Sequence, residues 1–202
     1  MTLRGAWHHC LLAALMLSVL PHAATADPPT LAPEWGLPQL MAGMHEVHSA
    51  TARFVERKFV RLLKEPLQSS GNLIFNAPDQ LQKQTLAPTP ARLTVIGNRL
   101  TIQQPDGKTR DLSLSEFPEI GALVESIRAT LAGDVATLMR YYTPTLTGDA
   151  ADWLLVLEPR DHRLRELLTA IRMRGEGTSI RGIETEERDG DRTEMTITPD
   201  QE

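Results

Sequence analysis

Cysteine is all but missing from this 202-residue chain: the one copy, Cys10, stands ahead of an apolar run at 11–20. Arg4 before that run and Ala24-Thr25-Ala26 after it complete the pattern of an export signal cut before Asp27. A mature chain over 27–202 would hold no thiol, which excludes disulfides, thiolate nucleophiles and cysteine metal sites. Cys10 precedes the apolar core, so it cannot be the acylated cysteine of a lipoprotein signal. The run itself is too short to span a bilayer. The expected product is therefore soluble, unanchored and periplasmic. A basic surplus is also lacking. The chain carries 21 Lys and Arg against 26 Asp and Glu, and loss of Arg4 with the signal takes the formal charge from −5 to −6. Nucleic acid and anionic lipid surfaces are poor partners for that balance. Aromatic residues are scarce at 4%, and the interior must be filled chiefly by Leu, Val and Ile.

What remains, residues 27–202, suits one domain. It is organised around 52–83, where a helical pattern gives way to two strands. Phe54, Val55, Phe59, Val60, Leu62 and Leu63 form a β-prone run, Lys64-Glu65-Pro66 interrupts it, and Gly71 opens a second run ending at Pro78-Asp79. Alternation places Leu73, Phe75 and Ala77 on one face and Asn72, Ile74 and Asn76 on the other. Before this hairpin, Leu40, Met41, Met44 and Val47 recur at three- and four-residue spacing behind Pro38, which predicts an amphipathic helix of about four turns. After it come strand-like runs at 81–86, 91–96, 100–104 and 110–114, separated by Pro88-Thr89-Pro90, Gly97-Asn98 and Pro105-Asp106-Gly107. Each alternates oily and wet positions, the mark of an antiparallel meander. Pro118 starts the longest helical period, from Ile120 to Tyr142, split at Gly133-Asp134. Strand chemistry returns at 153–157, 167–173, 180–185 and 194–198, with Asp189-Gly190-Asp191 as a hairpin turn. The expected order is helix, six strands, a broken helix and four strands, in a sheet wide enough to curl.

Three groups of residues invite sharper readings. His45 and His48, three apart on the expected helix, could chelate a metal, but zinc wants a third ligand and His162 lies in a distant loop; a solvated face is favoured. Asp161-His162 could be an acid-base pair, yet no nucleophile motif accompanies it, and a polar turn is preferred. Met41 and Met44 could touch a ligand, although their spacing suits ordinary core. No catalytic residue, metal or cofactor is expected.

Phe54-Val55-Glu56-Arg57-Lys58, with Ser70-Gly71-Asn72-Leu73-Ile74-Phe75 and Pro78-Asp79-Gln80-Leu81, resembles the LolA-type outer-membrane lipoprotein carriers. Leu155-Val156-Leu157-Glu158-Pro159 looks like the second half of that family's sheet. The likeness rests on order and spacing over nearly all of the mature chain. It implies a mainly β (α+β) fold: a curved antiparallel unclosed β-barrel with an N-terminal helix and a central helical lid over a hydrophobic cavity. It also implies a non-enzymatic carrier of lipoprotein acyl chains, served by an inner-membrane donor and an outer-membrane acceptor protein, and monomeric. The chain departs from the pattern where those carriers have a basic residue before the Pro of the second strand, thought to help hold the lid closed, and an aromatic soon after. Here Asn76 and Ala77 precede Pro78, and Leu81 and Gln82 follow Asp79. A divergent relative is implied, with another lipid or a lipophilic pigment-like product as alternative cargo.

If the resemblance sets sheet and lid face to face, the residues recurring on one side of successive elements line the cavity. These are Phe75, Leu93, Val95, Leu100 and Ile102 on the sheet, and Leu123, Ile127, Leu131 and Leu138 on the helix. The competing reading is an envelope interaction module that lends a sheet edge or helix face and carries no lipid.

Overall fold

The structure, a computed structural model, describes residues 34–200. The expected export signal and the proline-rich segment after it lie outside the described residues.

Each turn reverses the chain, and the strands pair in antiparallel fashion throughout. After α1 (Leu37–His45) come β1 (Ser49–Phe59), β2 (Leu67–Asn76), β3 (Gln80–Ala87), β4 (Ala91–Ile96), β5 (Arg99–Gln103) and β6 (Thr109–Ser113). A single 3-10 turn, Leu114–Glu116, leads into α2 (Pro118–Leu131) and α3 (Val135–Tyr141). Then follow β7 (Tyr142–Gly148), β8 (Trp153–Pro159), α4 (His162–Leu167), β9 (Leu168–Glu176), β10 (Ser179–Glu187) and β11 (Arg192–Pro199). All eleven strands form one sheet in the order β6-β5-β4-β3-β2-β1-β11-β10-β9-β8-β7. β11 returns to pair with β1, Phe54 facing Ile197. That joins two meanders while, among the described residues, β6 and β7 keep free edges and the barrel is unclosed. The mainly β, antiparallel expectation stands.

Strand registers give the sheet two chemically different faces, because residues directly opposite in a ladder share a face. Ile102, Leu93, Lys83, Leu73 and Ala52 form one such row across β5 to β1. Leu155, Met173, Ile183, Met195 and Glu56 form another across β8 to β1. The helices cover this inner face. Leu40, Met41 and Met44 of α1 join Leu138, Trp153, Leu155, Leu157, Ile171 and Met173 in the larger core cluster. Trp153 sits over Gly175, where a Cβ would come within 2.2 Å of its ring, and the indole N–H donates to Gly177 O at 2.9 Å. On the outer face the ladder is ionic. The Arg172 guanidinium donates to Glu186 at 2.8 Å and Glu184 at 3.1 Å, which raises its pKa, Glu186 contributing most.

Several expectations at element ends need correcting. α1 spans two and a half turns, not four: it ends at His45, and β-branched Val47 and Ser49 already lead into β1. β1 stops at Phe59 because its pairing with β2 ends at Lys58 and Leu67. Val60, Leu62 and Leu63 are left in the connecting turn, Leu62 with 90% of its surface exposed. β2 begins at Leu67, so Gly71 does not open it; it sits at a register shift inside it. Tyr142 belongs to β7, a strand the sequence concealed, since Pro144 fits only an edge strand. α4, expected as a turn, is capped by Asp161, whose carboxylate accepts from the amides of Arg163 and Leu164.

Candidate ligand-binding site

The most deeply buried positions of α2 carry small side chains. Ala122, Ser126, Ala129 and Thr130 are its buried positions, at 6%, 1%, 3% and 0% exposure. The two hydroxyls are satisfied within the helix, Ser126 donating to Leu123 O at 2.7 Å and Thr130 to Ser126 O at 2.8 Å, so they can pack deeply without orphaned groups. Leu123, Ile127 and Leu131, expected to be the inward stripe, are only half-buried along the flank of the first cluster. Large apolar groups on this helix thus keep open surface while small ones make the seat.

Three polar ties hold the helix. Arg128 donates to Gly97 O in the β4–β5 turn at 3.0 Å and pairs with Glu125. The Tyr142 phenol, fully buried, donates to Ala122 O at 3.1 Å, and burial pushes its pKa well above the ordinary value. Where α2 ends, the His45 Nδ1–H of α1 donates to Ala132 O at 3.2 Å. Gly133 makes the turn into α3 at φ 66°, and Asp134 caps α3 by accepting from the Thr137 amide at 2.9 Å.

The expected cavity residues separate into two groups. Val95 and Leu100 are buried with Leu114, with Leu93 and Ile102 half-buried against them. Leu123, Ile127, Leu131 and Leu138 belong to the larger cluster with β8 and β9. Phe75 is buried in β2. The link is Val124, on α2, which packs on the first group. Leu81, Leu73 and Met195, not on the expected list, are half-buried on the same face. Alternation pointed to Leu73 on the Phe75 face, but Met195 required the register of β11. The inner face grows polar toward the β1–β2 turn, through Glu56 and Lys58 of β1, Ser69 of β2, Lys83 and Thr85 of β3, and Thr193 of β11. No pattern in the sequence marked that change.

Other candidates resolve into structure. The helix ends at His45, and His48 Nδ1–H donates to Glu46 O at 2.8 Å beyond it, so the two imidazoles do not share a helical face. His162 lies on α4, 3.4 Å from Glu166. Met41 and Met44 are core. The carboxylates of Glu187, Asp189 and Asp191 gather at the β10–β11 turn, engaged by Lys58 and by the amides of Asp191 and Arg61. A depression of about 570 Å³ has walls of Arg172, Arg174, Arg181, Glu184 and Glu194, with Ile183 and Met195 also lining it, and no residue of α2 borders it.

Residues 26–199 match the family described as outer membrane lipoprotein carrier protein LolA-like. The chain belongs to the LolA-like family. No curated protein matches it. Among solved structures it is similar to a LolA superfamily protein from Nitrosomonas europaea, with 11% identity, 80% of this chain and 90% of that one covered, and a TM-score of 0.44. A DUF1329 family protein from Desulfovibrio piger gives 10% identity, 80% and 88% coverage, and 0.43. LprF from Mycobacterium bovis gives 12%, 80% and 89%, and 0.38. The family assignment rests on the sequence match, which spans nearly every described residue of this LolA-like chain. Among the described residues no helix is long and apolar enough to cross a membrane.

Proposed function

We propose that this LolA-like protein is a non-enzymatic periplasmic carrier. Its cargo, the acyl chains of a lipoprotein or another lipophilic molecule, lies between α2 and the inner face, on its way from an inner-membrane donor to an outer-membrane acceptor. One observation carries the reading: Leu123, Ile127 and Leu131 keep half-buried apolar surface beside a sheet face whose Leu73, Leu81, Leu93 and Ile102 do the same. A chain of a dozen methylenes placed there would gain roughly 10 kcal/mol of transfer free energy before ordering costs. Release requires α2 to yield or an acceptor to offer a better apolar surface. Cleavage before Asp27 completes the reading, and intact mass of the protein from its native envelope tests it: a species retaining Cys10 or bearing acyl groups would overturn it.

Replacing Ile127 and Leu131 together by Glu puts two charges where the chain would lie. The variant should stay folded by circular dichroism and lose a fluorescent fatty-acid analogue that the parent binds. Undiminished binding rejects the role of α2. A parent protein that binds no lipophile favours the interaction-module alternative, to which the free edges of β6 and β7 are suited.

A further inference from the structure

Lys83 is out of place by the logic of its row. It stands on the inner face directly between Leu73 and Leu93, where an aliphatic residue would continue the apolar surface. Its ammonium reaches Glu56 at 2.6 Å, with the two side chains 28% and 19% exposed. Ser69 donates to the other Glu56 oxygen at 3.2 Å, and the Lys83 nitrogen lies 4.9 Å from the centre of the Phe54 ring. Gly71 makes the arrangement possible: a Cβ there would lie 3.0 Å from the Phe54 ring and 1.9 Å from Gln84 O. A second pair, Lys58 with Glu187 at 3.4 Å, follows on the same side of β1.

Such pairs add little to stability, because desolvation offsets most of the attraction, and apolar replacements of matching volume are often neutral or better. What the pair does supply is two opposite, closely spaced charges at the border of an apolar surface. Leu73, Leu81 and Leu93 lie on one side; Ser69, Thr85 and Thr193 lie on the other. An amphiphile would meet that border with its polar end.

Building on the carrier reading, we propose that Glu56 and Lys83 form a headgroup subsite for a zwitterionic phospholipid of the ethanolamine class. The phosphate takes donors from Lys83 while Glu56 accepts from the primary ammonium, so the pair separates without leaving either charge alone. A carboxylate or phosphoglycerol headgroup would occupy Lys83 and strand the Glu56 charge on a half-buried surface, which is the costly outcome. Discrimination therefore comes from the charge left over.

The test uses the mature protein and displacement of the fluorescent fatty-acid analogue by short-chain phosphatidylethanolamine and phosphatidylglycerol of equal chain length. The readout is the ratio of their affinities. The parent should prefer the ethanolamine lipid by about tenfold, the gain of one charge-assisted contact. Glu56→Gln, which removes the acceptor for the ammonium and leaves Lys83 to hold either phosphate, should bring the ratio near unity. Lys83→Met should weaken both lipids while the preference persists, and the exchanged pair Glu56→Lys with Lys83→Glu should restore part of the ratio lost in Glu56→Gln while remaining folded. A parent that binds the analogue but treats the two lipids alike overturns the subsite and leaves the carrier reading standing. A preference that survives Glu56→Gln also overturns the subsite. A parent that binds neither analogue nor lipid overturns both readings.

Discussion

Replacing Gly133 by Ala tests how the N-terminal helix is seated against the α2–α3 turn. At φ 66° an alanine pays about 1 kcal/mol or slightly more for the left-handed conformation. The larger effect is contact. The new Cβ would lie 2.2 Å from Met41 O, 2.8 Å from His45 N and 2.9 Å from His45 Cβ. Two of these are backbone atoms, which cannot swing aside, so the end of α1 must back away. Retreat strips the His45 bond from Ala132 and loosens Met41 and Met44, now 1% and 0% exposed. Partial loss of one buried methionine's packing costs roughly 2 kcal/mol, for a total near 3 kcal/mol. Gly107 supplies the control, because its φ is 81° and nothing lies within 4 Å of its position. There, only the conformational cost of about 1 kcal/mol applies. At roughly 2–4 °C per kcal/mol for a domain of this size, Gly133→Ala should lower Tm by about 6–12 °C and Gly107→Ala by about 2–4 °C. Urea unfolding should rank them in the same order. Equal losses for the two variants would refute the claim that α1 rests on the α2–α3 turn.

Two further expectations concern the ties on α2. Arg128→Ala removes the donor to Gly97 O and leaves Glu125 without its partner, so it should cost about 1–3 kcal/mol and speed dissociation of the fatty-acid analogue in stopped-flow displacement; an unchanged off-rate would show that this tie does not restrain release. Tyr142→Phe removes one neutral hydrogen bond from a fully buried site and should cost about 1 kcal/mol at pH 7. Because burial raises the folded-state pKa above the ordinary 10.0, the phenol's contribution is intact below pH 10 and declines as pH rises, since the unfolded chain ionises first. The gap between parent and variant in urea midpoints should therefore narrow above pH 10, and a constant gap would contradict the burial argument.

Periodicity and punctuation were enough to read most of the elements. The alternation of Leu93 with Val95 and of Leu100 with Ile102, separated by Gly97-Asn98, already describes β4 and β5 with their turn. Pro118 and Gly133-Asp134 similarly bound α2 and α3. These signals are local, written by the two-residue repeat of a strand and the 3.6-residue repeat of a helix. β7 was hidden because Pro144 argues against a strand unless its edge is known to be free. Leu62 and Leu63 misled because β propensity is expressed only where a partner strand is available.

The inner face shows where local reading ends. Sequence determined that Leu123, Ile127 and Leu131 share one side of a helix, and that Leu93 and Ile102 share a side with their strand neighbours. It could not say that Ala122, Ser126, Ala129 and Thr130 would be the buried seat, leaving the larger residues half-open. Both stripes lie on the same amphipathic surface, and only contact with α1 and the sheet distinguishes them. Nor could it bring Lys83 to Glu56, 27 residues away, because that meeting depends on β3 pairing with β2, β2 with β1, and the register of each ladder placing both side chains inward. Tertiary structure decided those neighbours, since pairing across strands is set by turns and bulges spread over the whole meander, while hydrophobic period is set by the residues next in line.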